Sequence, residues 1–405
     1  MIKPSILFIV ALVALAQNCP FPKESSQETF LLSYDSLTKN KALIEENDEL
    51  LIAARDILVD RADELLQGKP YSVTYKEDLP NGATPNDYVS LAIYYWPDPD
   101  KKNGLPFISI DGKRNPLRES YPDAKMLSSM SSAVQILGLA YFFTEEEKYA
   151  DRAKDLLQVF FMDEATKMNP HFEFSTLIMG RKSGGNIIDG NPLMRAVDGI
   201  QLIKGSPSWT NRHQQEMEKW FAAFLDWMIN SEKGKFEASR KNNIATFYTA
   251  QATMYALFIG NKGLARKIIE SRGYQNIEEQ IAPDGTMPME LKRADPWNYI
   301  SYNLGAFHDL MMIGRNVDID LWEYRTEKSG SIKQAFDWVE SNVDNKKNSV
   351  NFNGHYVQKT TVERFFSNNP RPDNRTGVRD LSEVRRSYGA PNEVNRNNYL
   401  NILTN

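Results

Sequence analysis

Three short segments of the chain combine residue types that could bind an anionic sugar and move a proton. The first holds three adjacent aromatic residues, Tyr94, Tyr95 and Trp96. Aromatic faces can stack against sugar rings, and the polar edge of such a residue can hydrogen-bond a neighbouring group. The same three residues would also suit the core of a rigid loop, so this run alone leaves both interpretations open.

The second segment lies at the start of a predicted helix, where Asn242 and Asn243 are adjacent and Tyr248 follows. Two amide side chains at this position place donors where the helix dipole also favours an anion. They could hold a substrate carboxylate, and Tyr248 is a further candidate contact. The alternative is ordinary helix capping, because asparagine is a favoured capping residue.

The third segment begins with Arg293 and includes Tyr299 and Tyr302, again at the start of a predicted helix. A guanidinium group is planar and matches the geometry of a carboxylate. Either tyrosine could carry a proton. The alternative is a surface pair between arginine and glutamate beside two core tyrosines.

Histidine is sparse, and none of the four histidines has the spacing of metal ligands. His171 is the best functional candidate, because it follows Asn169 and Pro170 in a segment that we expect to line a cleft. The chain has no H-E-x-x-H motif, no nucleophile elbow and no P-loop. We therefore predict no metal site and no cofactor.

Helical periodicity dominates the chain from about residue 40 to residue 345. One predicted helix carries an apolar face from Leu50 to Leu66 and ends at Gly68 and Pro70, which are typical stop signals. Short connections between successive helices indicate antiparallel neighbours. The pattern predicts an all-α fold, an α/α toroid in which helical hairpins form a closed or nearly closed ring. The other predicted helices span Met126–Phe143, Lys148–Phe161, Leu193–Ile203, Arg212–Ile229, Asn243–Ile259, Lys262–Gln280, Tyr299–Ile313 and Ile332–Val343.

Two stretches, 71–122 and 168–191, interrupt this pattern and are rich in Pro, Gly, Asp and aromatic residues. Long loops in a compact domain are usually functional or disordered. These two are too aromatic to be plain linkers, and we expect them to line a cleft.

The N-terminus has the features of a secretory signal peptide. Lys3 precedes a short apolar run, and Ala14-Leu15-Ala16 forms an A-x-A cleavage site. We expect residues 1–16 to be removed, 17–345 to form the helical domain, and the polar segment 346–405 to pack on it. The protein would then be exported to a bacterial periplasm or secreted. Lipid attachment at Cys19, the only cysteine, is the less favoured alternative.

The composition and charge of the chain limit the classes of partner that it is expected to bind. The 405 residues are 41% hydrophobic, enough for a large core, and carry a net charge of −5. A chain without a bulk basic field has no electrostatic support for binding nucleic acid or an anionic membrane. We find no transmembrane segment after the signal peptide. The oligomeric state stays open.

The order of these segments resembles the alginate lyase family of polysaccharide lyases. The resemblance covers roughly residues 50 to 340 and implies an α/α toroid with a deep cleft or tunnel. It also implies metal-free elimination across C4 and C5 of a uronic acid. One departure stands out, because the family pattern has a histidine directly after the asparagine pair and this chain has Ile244. The matching residues run from Asp87-Tyr88 and Tyr95-Trp96-Pro97-Asp98-Pro99 through Asp111-Gly112, Arg114-Asn115-Pro116, Met168-Asn169-Pro170, Ile187-Ile188-Asp189 and Asn242-Asn243 to Pro283-Asp284-Gly285, Glu290-Leu291, Arg293 and Tyr299.

This resemblance gives a mechanistic expectation. Asn242, Asn243 and Arg293 would neutralise the substrate carboxylate, which lowers the cost of the developing enolate. Tyr299 would remove the proton from C5 and then protonate the departing O4. Its pKa would have to fall from about 10, helped by the nearby arginine.

The missing histidine limits which uronates we expect the protein to cleave. In β-D-mannuronate and β-D-glucuronate, H5 and O4 lie on the same side of the ring, so one tyrosine can serve both steps. In α-L-guluronate they lie on opposite sides, so a second group is needed, and Ile244 cannot move a proton. We expect an acidic polysaccharide as substrate, either alginate with polymannuronate preferred or glucuronan. Guluronate should be a poor substrate unless His171 or another tyrosine substitutes.

Two other functions stay open from sequence. A glycoside hydrolase on the same toroid would need a catalytic carboxylate pair in the cleft, and no such pair is singled out by its context. A non-catalytic glycan-binding protein that has lost its histidine would keep the aromatic residues and show no turnover.

Overall fold

The computed structural model describes residues 29–344, 349–352, 354–371 and 390–404. Over these ranges the protein is mainly helical, which confirms the predicted fold class. The predicted signal peptide and Cys19 lie outside the described residues. The helices are α1 Tyr34–Glu45, α2 Glu49–Leu66, α3 Asp123–Thr144, α4 Glu147–Leu157, α5 Leu193–Ile203, α6 Asn211–Asn230, α7 Glu232–Ala238, α8 Asn243–Phe258, α9 Lys262–Ile268, α10 Tyr274–Gln280, α11 Pro288–Leu291, α12 Pro296–Gly314, α13 Ile332–Ser341, α14 Lys359–Asn368 and α15 Tyr399–Thr404.

Short strands pair in the connections between helices. Strand β1 pairs with β4 in parallel, β2 pairs with β3 in antiparallel, and β5, β6 and β7 form an antiparallel sheet. The two stretches predicted as irregular contain the first four strands. The strands are β1 Val89–Leu91, β2 Tyr95–Trp96, β3 Ile108–Ser109, β4 Phe174–Leu177, β5 Val343–Asp344, β6 Ser349–Phe352 and β7 His355–Gln358.

The helices fall into two layers, distinguished by how much of each is buried. α8 is buried along its whole length except at Ile244, and nearly all of α5 is buried as well. By contrast α2 and α6 bury a single stripe, as surface helices do. α3 packs against α2, α4 and α5, and α8 packs against α6, α9 and α12. Inner and outer helices therefore alternate along the chain, as in a toroid of helical hairpins.

The described parts of the C-terminal segment belong to the same hydrophobic core. Val350, Phe352, Val362 and Ile402 are fully buried members of the core cluster. The amide of Asn40 in α1 donates to the carbonyl of Leu403 in α15 across 3.0 Å.

One described helix, α3, is long and apolar enough to cross a membrane by length and composition. Most of it is buried inside the protein, as expected of a core helix, so it is weak evidence for a membrane span.

Candidate active site

Tyr299 lies in the first turn of α12. That helix starts at Pro296, and the Asp295 carboxylate caps it by accepting a hydrogen bond from the backbone N–H of Asn298 at 3.2 Å. The tyrosine is only 7% exposed. Its hydroxyl donates to Oδ1 of Asp111 at 3.3 Å and also interacts with Tyr94.

Arg293 stacks on the ring of Tyr299, with the guanidinium carbon 3.5 Å from the ring centroid. Its Nε lies 3.0 Å from Oδ2 of Asp111 and its Nη2 lies 2.5 Å from Oδ1, which is a bidentate ion pair. The backbone N–H of Ala294 also donates to Oδ2. These hydrogen bonds, the one from Arg293 above all, lower the pKa of Asp111 to about 2.

The pKa of Tyr299 moves in the opposite direction to our expectation. Arg293 lowers it, but burial of the hydroxyl and the interaction with Tyr94 raise it by more. The net result is a tyrosine that holds its proton more firmly than free tyrosine does. The expectation that the nearby arginine would bring this pKa down is wrong, because burial and the interaction with Tyr94 outweigh the effect of the arginine.

Asn243, the first residue of α8, is held by a carboxyl group of the protein. Its backbone N–H and its side-chain Nδ2 donate to the same oxygen of Glu290, at 3.0 and 2.9 Å. Glu290 is buried, and this burial raises its pKa. Asn242 occupies the capping position of α8, but its side chain makes no capping bond, and its Oδ1 is buried without a partner among the described residues.

Tyr302 lies one turn beyond Tyr299 and faces a large cavity. Its hydroxyl oxygen accepts a hydrogen bond from Asn191 at 2.9 Å, and its ring packs on Phe247 with centroids 4.5 Å apart. The residue is 40% exposed. Of the two tyrosines predicted on this helix, Tyr302 is therefore the one whose side chain is exposed to the cavity.

The cavity has a volume of about 1020 Å³ and follows one face of α12. Along that helix its wall contains Asn298, Tyr302, Gly305, Asp309 and Arg315. The wall also includes side chains of α3, of residues 188–195 and of the two ends of the described chain. Tyr299, Arg293 and Asn243 lie beside the cavity rather than in its wall.

Of the three predicted aromatic residues, only Tyr94 reaches the tyrosine site. Trp96 donates from Nε1 to the carbonyl of Lys113 at 2.7 Å, and the ammonium of Lys113 lies 4.5 Å from the centre of the indole. Arg181 lies over the ring of Tyr95 at 5.8 Å. Both of these rings are half-buried, and each carries a cationic side chain of the protein on one face.

Two other predicted contacts lie elsewhere. Tyr248 is buried in the core and its hydroxyl donates to the carbonyl of Met228 at 2.9 Å, because its position on α8 turns it away from the cavity. Nε2 of His171 lies 3.1 Å from Asp87. Within the described ranges, no contact joins His171 to Tyr299 or Tyr302. We leave both residues out of the site.

Sequence reasoning missed the acidic partners. Asp111 and Glu290 were only part of the family pattern and had no assigned role. Asp189 also went unassigned, although it binds Arg118 at 2.7 Å and accepts a hydrogen bond from Tyr88 at 2.9 Å. Among the described residues, no group of three or more His, Cys, Asp or Glu side chains is arranged to hold a metal ion.

A family model and a solved structure of high similarity agree with this fold. The family model described as alginate lyase matches residues 72–349. A solved alginate lyase from Bacteroides ovatus is 30% identical, with a TM-score of 0.78 over 86% of this chain and 94% of that one. Alginate lyase A1-III of Sphingomonas species A1 is 16% identical, with a TM-score of 0.44 over 72% of this chain and 77% of that one. No curated protein sequence matches the chain.

The helical toroid and the family match define a polysaccharide lyase. The chain belongs to the alginate lyase family, whose model covers more than half of it.

Proposed function

We propose that the protein cleaves alginate by metal-free β-elimination, with Tyr299 as the base and polymannuronate as the preferred substrate. The observation that carries the proposal is the cluster of Tyr299, Arg293 and Asp111 at the start of α12, with Asn243 and Glu290 beside it. The named activity of the similar Bacteroides ovatus protein supports the choice of alginate.

The cluster offers the electrostatic part of an elimination. A proton on C5 becomes easier to remove when the neighbouring carboxylate is neutralised, because charge then develops on an oxygen that is already hydrogen-bonded. Asp111 uses the Nε–H and one Nη2–H of Arg293, which leaves the remaining guanidinium donors for a substrate. We assign Asn243 and Asn242 to the same carboxylate.

The raised pKa of Tyr299 suits a proton carrier that takes a weakly acidic proton. A base with a high pKa is strong once it forms, although little of it is present near neutral pH. The stacked Arg293 favours its charged form. Asp111 accepts from the hydroxyl and so fixes its position.

Stereochemistry supports the preference for mannuronate. Ile244 stands where the family pattern has a histidine, and His171 is engaged by Asp87 away from the cluster. The proton carriers at the cluster are Tyr299 and Tyr302, which share one face of α12, and the neighbouring Tyr94. Groups on one side of a sugar suit elimination of H5 and O4 from that same side.

The carboxyl groups at the site argue against hydrolysis. A glycosidase needs one carboxyl group that is free to protonate the glycosidic oxygen. It needs a second that acts as the nucleophile or activates water. Asp111 is held by Arg293 and Ala294, and its low pKa keeps it ionised. Glu290 is buried against Asn243.

The test is digestion of polymannuronate, polyguluronate and glucuronan by purified protein, followed by ultraviolet absorbance of the unsaturated uronate and by a reducing-end assay. We expect both signals to rise together and fastest with polymannuronate. Reducing ends without ultraviolet absorbance would show a hydrolase. Equal rates on polyguluronate would overturn the preference.

We also propose that the protein is exported, to a bacterial periplasm or beyond. The charged, apolar and small-residue pattern of residues 1–16 supports this. N-terminal sequencing of protein from the extracellular and periplasmic fractions tests it, with Gln17 expected as the first residue.

A further inference from the structure

Tyr302 is held in place by a chain of side-chain amides. Gln251, fully buried in α8, donates from Nε2 to the carbonyl of Ile187 at 3.2 Å and to Oδ1 of Asn191 at 2.8 Å. Its Oε1 accepts from the hydroxyl of Tyr255 at 3.2 Å. The carbonyl of Ile187 can only accept, so the amide of Gln251 has one orientation. That orientation fixes Asn191, whose NH₂ group must face Tyr302.

The direction of the last hydrogen bond decides what Tyr302 can do. Its oxygen accepts from Nδ2 of Asn191, so its own hydrogen points elsewhere. Among the described residues no acceptor is bonded to that hydroxyl, and the residue lies in the wall of the 1020 Å³ cavity. The protein therefore presents an oriented O–H donor to whatever occupies the cavity.

Tyr299 and Tyr302 lie one helix turn apart on α12, Tyr299 beside the cavity and Tyr302 in its wall. Residues three apart on a helix are neighbours on one face. Tyr94 interacts with the hydroxyl of Tyr299, and it lies close enough to Tyr302 for its charge to influence that group too. The three phenols therefore form one cluster, of which Tyr302 lies in the cavity wall.

The two tyrosines differ in that Tyr299 has a cation beside it as well as the carboxylate of Asp111, whereas the charged groups that act most strongly on Tyr302 are carboxylates. Arg293, stacked on Tyr299, favours a phenolate at that residue. Asp189 and Asp309 disfavour a phenolate at Tyr302, whose pKa is raised, mainly by the protein atoms around its hydroxyl. A base belongs beside the cation, and an acid that keeps its proton belongs beside the carboxylates.

We propose that Tyr302 is the general acid of the reaction and protonates O4 as it leaves, while Tyr299 removes H5. This inference rests on the proposed elimination and divides between two tyrosines the steps that one was expected to perform. The C5–H bond breaks and its proton passes to the Tyr299 oxygen. The electron pair forms the C4–C5 double bond, the C4–O4 bond breaks, and O4 takes the proton of Tyr302.

The resulting charges reset by exchange of protons with solvent. Tyr302 is left as a phenolate that keeps the hydrogen bond from Asn191, and Tyr299 is left protonated. When product leaves, solvent water returns a proton to Tyr302 and accepts the one held by Tyr299. No further reactant is consumed.

The test uses Tyr302→Phe, which keeps the ring on Phe247 and removes the donor. On polymannuronate we expect kcat to fall about 100-fold or more, the usual worth of a general acid, with little change in KM. Tyr324→Phe is the matched control, because Tyr324 also packs on an aromatic ring, that of Tyr274, and makes one hydroxyl hydrogen bond, to Glu278. It should keep the wild-type kcat.

A second substrate separates acid catalysis from structure. A uronate that carries a 4-nitrophenyl group on O4 releases 4-nitrophenolate, which can leave without taking up a proton. Tyr302→Phe should then react within a few-fold of wild type, whereas Tyr299→Phe should stay defective. Equal loss on both substrates, or no loss on polymannuronate, would overturn the role of Tyr302. A wild-type protein that forms no unsaturated product would instead overturn the proposed function.

Discussion

Neighbouring groups change the pKa of the Tyr299 hydroxyl in both directions. Arg293 lies on its ring, Asp111 accepts its hydrogen bond, and Tyr94 and the surrounding protein bury it. Burial and Tyr94 prevail over the arginine, so its pKa lies above the ordinary value of about 10. An enzyme that relies on this residue as a base must work from a small population of phenolate at neutral pH.

This balance predicts the pH dependence of catalysis. The active form has lost a proton from a group with a raised pKa, so its population grows about tenfold for each pH unit below that pKa. We expect log kcat/KM on polymannuronate to rise with a slope of about one from near pH 6 to near pH 9. Initial rates across that range measure it. A plateau beginning below neutral pH would show that the base is another group.

Asp111 is predicted to position Arg293. Asp111→Ala removes two hydrogen bonds from the guanidinium and one from the tyrosine hydroxyl. Charged hydrogen bonds contribute about 1.5–3 kcal/mol each, so kcat/KM should fall at least about tenfold. Asp100→Ala, an exposed change in the β2–β3 connection, is the control. Faster turnover in Asp111→Ala would show that Asp111 competes with the substrate carboxylate.

Sequence alone could predict part of this site. Arg293 and Tyr299 lie close in the chain at one helix start, so their proximity was predictable. Asp111 is 182 residues from Arg293 and approaches only through the β2–β3 hairpin, which no local pattern indicates. Tyr248 was misplaced because the rotation of α8 depends on packing on all sides of that helix.

Helices α3 and α5 cross with an unusually short distance between their backbones. A Cβ atom at Gly138 would lie 2.7 Å from the carbonyl oxygen of Gly199, and one at Gly199 would lie 2.6 Å from that of Val134. The contact is backbone to backbone, so a side chain cannot move aside. The crossing keeps α5, and with it Asn191 just before it, against the inner layer.

Gly138→Ala should therefore destabilise the fold. Overpacking of a tight contact costs about 1–3 kcal/mol, which outweighs the better helix propensity of alanine. Gly263→Ala in α9 is the matched control, because the nearest atom to its Cβ would be 3.8 Å away. Urea unfolding should show a loss for the first and a neutral or stabilising change for the second. Equal stability of both variants would contradict the close packing.

Periodicity predicted the long helices well and the strands not at all. α3, α6, α8 and α12 match predicted helices to within a few residues at each end. Strands of two to four residues carry too little pattern to read. β1 also pairs with β4, 85 residues apart at Val89 and Phe174, so its existence depends on the tertiary fold.

At the scale of the whole molecule, the start of the described chain is anchored to the helical ring. The carboxylate of Asp198 in α5 accepts from the backbone N–H groups of Phe30 at 2.7 Å, Leu31 at 3.1 Å and Leu32 at 2.8 Å. Asn316, just after α12, donates to the carbonyl of Phe30 at 3.2 Å. The segment therefore connects two inner helices. Periodicity predicted a ring but could not indicate this link between distant residues.

Asp198→Ala should loosen that connection. It leaves three backbone N–H groups without their acceptor, at about 1–3 kcal/mol for each that stays buried. Part of this loss is offset, because burial raises the pKa of Asp198 to about 6 and ionised Asp198 is therefore costly to bury. We expect a net loss of about 2–4 kcal/mol in urea unfolding at neutral pH. Asp226→Ala, at an exposed position of α6, should change stability by less than about 0.5 kcal/mol. Matching stabilities would contradict the anchoring role.

Elimination by Tyr299 can be tested by comparing the wild-type protein with Tyr299→Phe. Wild type and Tyr299→Phe are incubated with polymannuronate, unsaturated uronate is followed by its ultraviolet absorbance, and binding of a saturated oligomannuronate is measured by calorimetry. We expect the variant to bind the oligosaccharide as wild type does and to form unsaturated product at least about 1000-fold more slowly. Tyr299→Phe with wild-type turnover would contradict it.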